Sequence, residues 1–284
     1  MTRIDKISFR NIDFFILRDD LIDGDFNGNK ARKLEYFLHC DISKFDKIVS
    51  YGSNQSNAMY SISVFAKRHN LDFIYVCDHI GNKLKENPVG NFKFAIENGM
   101  KYFVDKDREN FAKNLVDTKT LFIKEGVAQK EAEFGFIKQA EFIDNFSKKQ
   151  NIKFDIFLPS GTGASAAYLS KNIKFNVFTT PCVGDTNYLK EQIYELDSNS
   201  KVQILNPPKK YTFGDIKKEL YEIYKELLDE TKIEFDLIYD TVGFLTLFSN
   251  LDKFKNPILY IHQGGIIGNI SQLERYRYKG ISNL

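Results

Sequence analysis

Short apolar segments alternating with helix-patterned stretches restrict the fold of this 284-residue chain more than any other feature. Residues 47–51, 72–77, 101–104 and 120–123 are rich in β-branched and aromatic side chains, and they read as strands. Between them, residues 58–69 and 88–98 carry helical spacing, with Gly99 as a stop. Strands and helices alternating at this length build a parallel, right-handed wound sheet, so the fold class is α/β.

The same rhythm resumes at residues 154–158, 175–179 and 257–261. Residues 212–231 read as one long covering helix, with Ile216, Leu220, Ile223, Leu227 and Leu228 on its apolar face. A chain this long exceeds what a single core serves, so two domains facing a cleft are expected. The boundary follows the topology: a small domain at 43–124 inserted into a large one made of 1–42 and 125–284.

Charge and cysteine usage exclude several functions. Forty basic residues against 38 acidic leave a net charge of +2, which points to neither a nucleic-acid nor a membrane partner. Cys40, Cys77 and Cys182 are far apart and form no C-x-x-C pair, as expected of reduced thiols in a cytoplasmic protein. Neither a leader-like apolar run at Met1 to Lys6 nor a long apolar span appears, so a soluble protein is expected. The histidines His39, His69, His79 and His262 lack metal-site spacing, and no metal is expected.

Three segments carry chemistry. Gly28-Asn29-Lys30 is a tight turn running into a helix start, where a lysine stays near the backbone and can point into a cleft. Such a lysine suits covalent chemistry with a carbonyl. Tyr51-Gly52-Ser53-Asn54-Gln55-Ser56-Asn57 leaves a strand and opens a helix, an arrangement that favours anions and equally describes an ordinary capped turn. Ser160-Gly161-Thr162-Gly163-Ala164-Ser165 follows another strand, and its small residues let successive amides converge on a phosphate. It lacks the Walker lysine, so a nucleoside triphosphate is disfavoured.

In order and spacing these motifs resemble the 1-aminocyclopropane-1-carboxylate deaminase/D-cysteine desulfhydrase family. Arg18-Asp19-Asp20-Leu21 with Gly28-Asn29-Lys30-Ala31-Arg32-Lys33-Leu34-Glu35 is similar to its R-D-D-L…G-N-K-x-R-K-L-E opening, and residues 52–57 and 160–167 to its G-G-x-Q-S-N and S-G-x-G-G-T-x-A loops. Asp236-Leu237-Ile238-Tyr239-Asp240 and His262-Gln263-Gly264-Gly265 are similar to D-P-V-Y-[EST] and H-[TL]-G-G. The resemblance implies a fold type II, tryptophan synthase β-like enzyme: two wound parallel-sheet domains, the active site in the cleft between them, and pyridoxal 5'-phosphate (PLP) as cofactor.

Residue by residue, the resemblance makes Lys30 the cofactor-bearing lysine and leaves Lys33 as scaffold. It gives Ser56 and the amides beside it the substrate carboxylate, and Asn57 the cofactor's 3′-oxygen. Ser160, Gly161, Thr162, Gly163, Ala164 and Ser165 receive the phosphate. Tyr239 lies over the ring, while Asp240 or Gln263 meets the pyridine nitrogen. A homodimer and a small amino-acid substrate are also implied.

Four departures stand out: Ala58 where the family has a polar residue, Thr241-Val242 for Gly-Lys, and Asp240 and Gln263, which match neither branch of the family. The activity implied is deamination or β-elimination of a substrate such as 1-aminocyclopropane-1-carboxylate or D-cysteine, releasing ammonia and a 2-oxo acid. Two alternatives stay open on the residues alone. One is a catalytically silent PLP- or amino-acid-binding protein; the other is a dinucleotide-binding oxidoreductase, although no G-x-G-x-x-G follows the first strand.

Overall fold

The structure is a computed structural model that describes residues 2–26 and 28–282. Among those residues the strands are β1 (Ile4–Phe9), β2 (Ile12–Arg18), β3 (Lys47–Tyr51), β4 (Asp72–Cys77), β5 (Lys101–Val104), β6 (Thr120–Ile123), β7 (Asp155–Ser160), β8 (Asn176–Pro181), β9 (Gln203–Ile204) and β10 (Ile258–His262). They form two sheets.

One sheet has the order β5-β4-β3-β6 and is parallel throughout. The other has the order β1-β2-β10-β7-β8-β9 and is parallel except for the antiparallel β1–β2 hairpin at its edge. The hairpin is not apparent in the sequence pattern. It matters because β10 slots beside β2 with Tyr260 opposite Ile16 and Leu17 opposite Ile261, bringing segments far apart in the sequence side by side.

Central strands read as unbroken apolar runs because both faces are covered. Every residue of β7 and of β10 is buried. One face of the larger sheet packs Leu158, Ile156 and Leu259 on Phe136, Ile143 and Leu169 from the helices Glu133–Gln150 and Ala164–Asn172. The other packs Phe14, Phe157 and Tyr260 on Ile223, Leu227 and Phe244 from the helices Lys218–Thr231 and Asp240–Ser249. The smaller sheet buries Ile48, Phe73 and Tyr75 against the helix Asn57–Arg68.

The helix expected over residues 212–231 begins only at Lys218. Gly214 has φ +70, and the Asp215 carboxylate accepts the Thr212 amide at 2.9 Å, so residues 212–217 close a turn in place of a first helical segment. Phe213 is thereby released from the helix face, and its ring lies 5.8 Å from that of Tyr239.

Asp155 ties three strand ends together. It is fully buried and accepts from Asn176 Nδ2 (2.8 Å), Asn256 Nδ2 (3.0 Å), Lys255 N (2.7 Å) and Asn256 N (3.0 Å). Burial alone would raise its pKa, but these donors outweigh it and hold the carboxyl below its ordinary value. Asp155→Ala is expected to cost about 2–4 kcal/mol by stranding those donors, read from urea unfolding at neutral pH. Because the folded carboxyl titrates below the unfolded one, its contribution is present above pH ~4 and lost as pH falls further, so wild type and variant converge in acid. Equal stability at pH 7 would refute the assignment.

Candidate active site

Lys30 opens the helix Lys30–His39, directly after a turn that docks on the end of β10. The Asn29 amide donates to Gln263 O at 2.7 Å, and Gly28 (φ +63) lies so close that a Cβ there would stand 2.1 Å from Gln263 O. Only a residue without a Cβ fits both the backbone angle and the contact. From the other side a buried ion pair, Arg32 to Asp19 at 2.6 Å, clamps the same helix, with Gln139 Nε2 donating to Asp19 at 2.8 Å. The Arg-Asp-Asp-Leu motif is therefore the clamp that fixes where Lys30 points.

The Lys30 amine donates to Asn29 Oδ1 at 2.8 Å and lines a cleft of about 360 Å³ between the two sheets. A cleft of this size suits a small molecule. Desolvation lowers the Lys30 pKa to about 8, partly opposed by the negative charge of Asp236. A lysine at that value is about a tenth neutral amine at pH 7, where an ordinary one is essentially all cation.

Ser56 and Asn57 face the cleft at the start of the helix Asn57–Arg68. Ser56 Oγ accepts from the amides of Ala58 (3.1 Å) and Met59 (3.4 Å), so it is the helix N-cap and keeps its hydroxyl proton for another acceptor. Asn57 Oδ1 accepts from Asn91 Nδ2 at 2.7 Å, which fixes the amide's orientation. Ala58 is buried and lines the cleft, so no polar side chain follows Asn57 there.

Across the cleft, residues 160–165 join β7 to the helix Ala164–Asn172, with Gly163 at φ +74 as the helix N-cap. The first amides of that helix lack carbonyl partners within it, the condition for binding an anion. The two loop serines accept hydrogen bonds from behind, Ser160 Oγ from Thr179 at 2.7 Å and Ser165 Oγ from Asn29 at 3.1 Å, and like Ser56 each keeps its hydroxyl proton for another acceptor. The loop thus turns the backbone of residues 161–165 and the side chains of Ser160 and Ser165 toward the cleft as possible donors.

Tyr239 and Asp240 sit where a turn enters the helix Asp240–Ser249. Tyr239 packs within 3.3 Å of where a Gly161 Cβ would lie, and burial pushes its phenol pKa well up, so it stays protonated. Asp240 is almost fully buried, its Oδ1 accepting from Tyr260 at 2.7 Å and its Oδ2 from the Asp236 amide at 2.9 Å. Gln263 donates to Pro159 O at 2.6 Å and accepts from Asn29 Nδ2 at 2.7 Å. Every residue read from the sequence as a site residue lines this one cleft.

Several lining residues were not singled out by the sequence. Asn29 joins Lys30, Ser165 and Gln263 in one network. Lys33, expected to be scaffold, is buried and lines the cleft; its amine donates to Gly126 O at 2.9 Å, and Gly126 packs on Thr162 of the phosphate-type loop. At the cleft wall Arg108 pairs with Glu125 at 2.8 Å and lies 3.8 Å from Asp78. Only the helix periodicity that puts Lys33 on the face of Lys30 signalled any of this. Among the described residues no cluster of His, Cys, Asp or Glu could hold a metal ion.

No protein-family model matches the chain. A Pyrococcus furiosus protein provisionally named a 1-aminocyclopropane-1-carboxylate deaminase is 26% identical over 281 residues, spanning 90% of this chain and 85% of the relative. An Arabidopsis thaliana protein named as a bifunctional, mitochondrial D-cysteine desulfhydrase/1-aminocyclopropane-1-carboxylate deaminase is 23% identical, spanning 93% and 75%. Among solved structures, an ACC deaminase homologue aligns at a TM-score of 0.79 and 23% identity, covering 98% of this chain and 93% of that one. A pyridoxal 5'-phosphate-dependent aspartate racemase aligns at 0.67 and 12% identity, covering 93% and 90%.

The fold is that of the fold type II PLP-dependent enzymes. Within that class the chain is similar to proteins named as 1-aminocyclopropane-1-carboxylate deaminases and to one named as a D-cysteine desulfhydrase, which match it along nine-tenths of its length.

Proposed function

We propose that this chain is a PLP-dependent lyase or deaminase that releases ammonia and a 2-oxo acid from a small amino acid of the 1-aminocyclopropane-1-carboxylate or D-cysteine type. The observation that carries the reading is the Lys30 amine, desolvated to a pKa of about 8, in the same cleft as an amide-lined helix N-terminus. The residues fit the cofactor. The amides of 161–165 and the buried Lys33 amine beside Gly126 and Thr162 would hold a phosphate, and Lys30 its aldehyde carbon. When bound, PLP supplies that aldehyde and a conjugated ring that accepts an electron pair.

The chain's own groups do the rest. Ser56 Oγ–H and the amides at the start of the Asn57–Arg68 helix receive the substrate carboxylate, because a helix N-terminus favours an anion. Asn57, its amide oriented by Asn91, would hold the cofactor's 3′-oxygen. Lys30, as a neutral amine, would move the proton at the substrate carbon. Tyr239 keeps its proton and serves as donor over the ring. Asp240, held by Tyr260 and the Asp236 amide, and Gln263, held by Asn29 and Pro159, are rigid groups for the ring nitrogen.

The enzyme names of the relatives do not favour a silent binding protein. The insertion of a small domain at 43–124, a homodimeric assembly and a cytoplasmic location belong to the same reading. Among the described residues, no helix is long and apolar enough to cross a membrane.

The test loads purified protein with PLP, removes the excess, and offers 1-aminocyclopropane-1-carboxylate, D-cysteine and their stereoisomers. A visible cofactor band retained by the protein and 2-oxo acid released from at least one substrate are expected, with sulfide if it is D-cysteine. A colourless protein that turns over none of them would sink the proposal.

A further inference from the structure

Strand β5 stands at the outer edge of the smaller sheet, and all of its residues are exposed, which is true of none of the other edge strands β1, β6 and β9. Tyr102, Phe103 and Val104 are 37%, 44% and 48% exposed. The helix Arg108–Asn114 packs Ala112 with Val49 and Val76 of β3 and β4, which leaves β5 at the rim. The Phe103 ring leans on Phe111 at 5.6 Å and the Tyr102 ring on Phe92 at 5.2 Å, so both are supported from within while their outer sides stay bare. Soluble folds ordinarily blunt such an edge with charge, proline or a covering element.

The backbone fixes what this edge offers. β5 runs parallel to β4 with Ile74 opposite Lys101 and Cys77 opposite Val104, and the Asp105 amide donates inward to Cys77 O at 2.9 Å. Because successive residues of a strand point their backbone groups in opposite directions, Phe103 faces β4 and the N–H and C=O groups of Tyr102 and Val104 face away from the sheet. A new strand added here has to bond to Tyr102 and Val104.

A second copy of the chain meets that requirement with the same residues. Two-fold symmetry sets the two β5 strands antiparallel, and the ladder closes only in registers that place outward-facing residues opposite one another, centred on Tyr102, Phe103 or Val104. Centring on Tyr102 sets the charge of Lys101 against Phe103, and centring on Val104 sets Phe103 against Asp105. Centring on Phe103 sets Phe103 opposite itself, Tyr102 opposite Val104, and Lys101 opposite Asp105 on both sides of the axis. We propose that β5 is a self-association edge through which two copies join their smaller sheets in this Phe103-centred register. The apolar pairs supply the buried area. Lys101, which is exposed and pairs with Asp72 at 3.2 Å, sets the register with Asp105 of the second copy, since exposed charge pairs add specificity more than affinity.

The inference goes beyond the catalytic reading and needs neither cofactor nor substrate. Residues 101–105 make a small contact of the transient class, so sedimentation of the whole chain over about 1–100 µM should show a mass that doubles with concentration. Val104→Pro should weaken the doubling at least about tenfold, because it removes an outward N–H and leaves the bonds to β4 in place. Lys101→Asp and Asp105→Lys should each weaken it about three- to tenfold, and the double variant should restore it. Phe103→Cys should form a disulfide across the axis on mild oxidation, since facing residues of a non-hydrogen-bonded pair lie about 4.5 Å apart at Cα, within disulfide reach. Tyr102→Cys should not, because the register sets its two copies on a diagonal. Peptide mapping separates such a link from one through the partly exposed Cys40.

A mass that stays constant with concentration, a doubling untouched by Val104→Pro, or a link that forms in Tyr102→Cys and not in Phe103→Cys would overturn the proposal. If the proline variant does not fold, the charge exchange decides alone. Weakening in both single variants with recovery in the double supports the edge, and equal association in all three refutes it.

Discussion

Lys30→Ala should lose at least about 10³-fold in kcat for whichever amino acid the wild-type protein consumes, and borohydride should no longer fix PLP to the chain. The effect combines two losses. The positioned acid–base group contributes about 10²–10⁴-fold, and the covalent anchor that splits the reaction into easier steps disappears with it. Lys33 is not placed to substitute, because its amine is buried and donates to Gly126 O at 2.9 Å.

The same variant makes a pH prediction. Cofactor capture by wild type should accelerate through about pH 8 as the Lys30 amine loses its proton, the reverse of a step that needs a protonated group. Borohydride labelling followed by peptide mapping checks both statements. A labelled peptide carrying Lys33 alone, or a variant retaining near wild-type turnover, would contradict the assignment of Lys30.

Gly28→Ala has the largest expected effect on stability. Alanine at φ +63 costs about 1–2 kcal/mol in the left-handed region. Its Cβ would also overlap Gln263 O at 2.1 Å and Gly264 Cα at 2.6 Å, both backbone atoms that cannot swing aside. Overpacking of this kind adds about 1–3 kcal/mol, for a total of about 2–5 kcal/mol.

The damage extends to the site. Relief of the clash has to separate the turn from the end of β10, breaking the 2.7 Å bond from Asn29 N to Gln263 O that sets where Lys30 begins its helix. A lower urea midpoint with weaker PLP retention is the expected result, measured on the same preparation. Stability within about 1 kcal/mol of wild type would mean that the turn has another way to pack.

Local signals carried much of this architecture. Each strand expected at 47–51, 72–77, 101–104 and 120–123 is present, because β-branched and aromatic runs between helical patterns leave little choice. The 160–165 loop was readable for a similar reason: small residues after a strand and before a helix leave amides free whatever the rest of the chain does. The helix over 212–231 was overcalled because periodicity outweighed Gly214 and Asp215, which turn the backbone before Lys218. Asp236 and Lys33 were passed over because a buried charge looks like a surface one until the fold removes its water.

The sequence by itself determined the alternating α/β order, the lysine on its Gly-Asn turn and the two anion-favouring loops, since each depends on residues close together in the chain. Tertiary structure alone decided which of these meet and in what state of charge. Asn29 reaches Ser165 across 136 positions and Gln263 across 234, and Lys33 reaches Gly126 across 93. The depressed Lys30 amine arises only when those distant segments close over it, because desolvation belongs to the packed cleft and to no single residue.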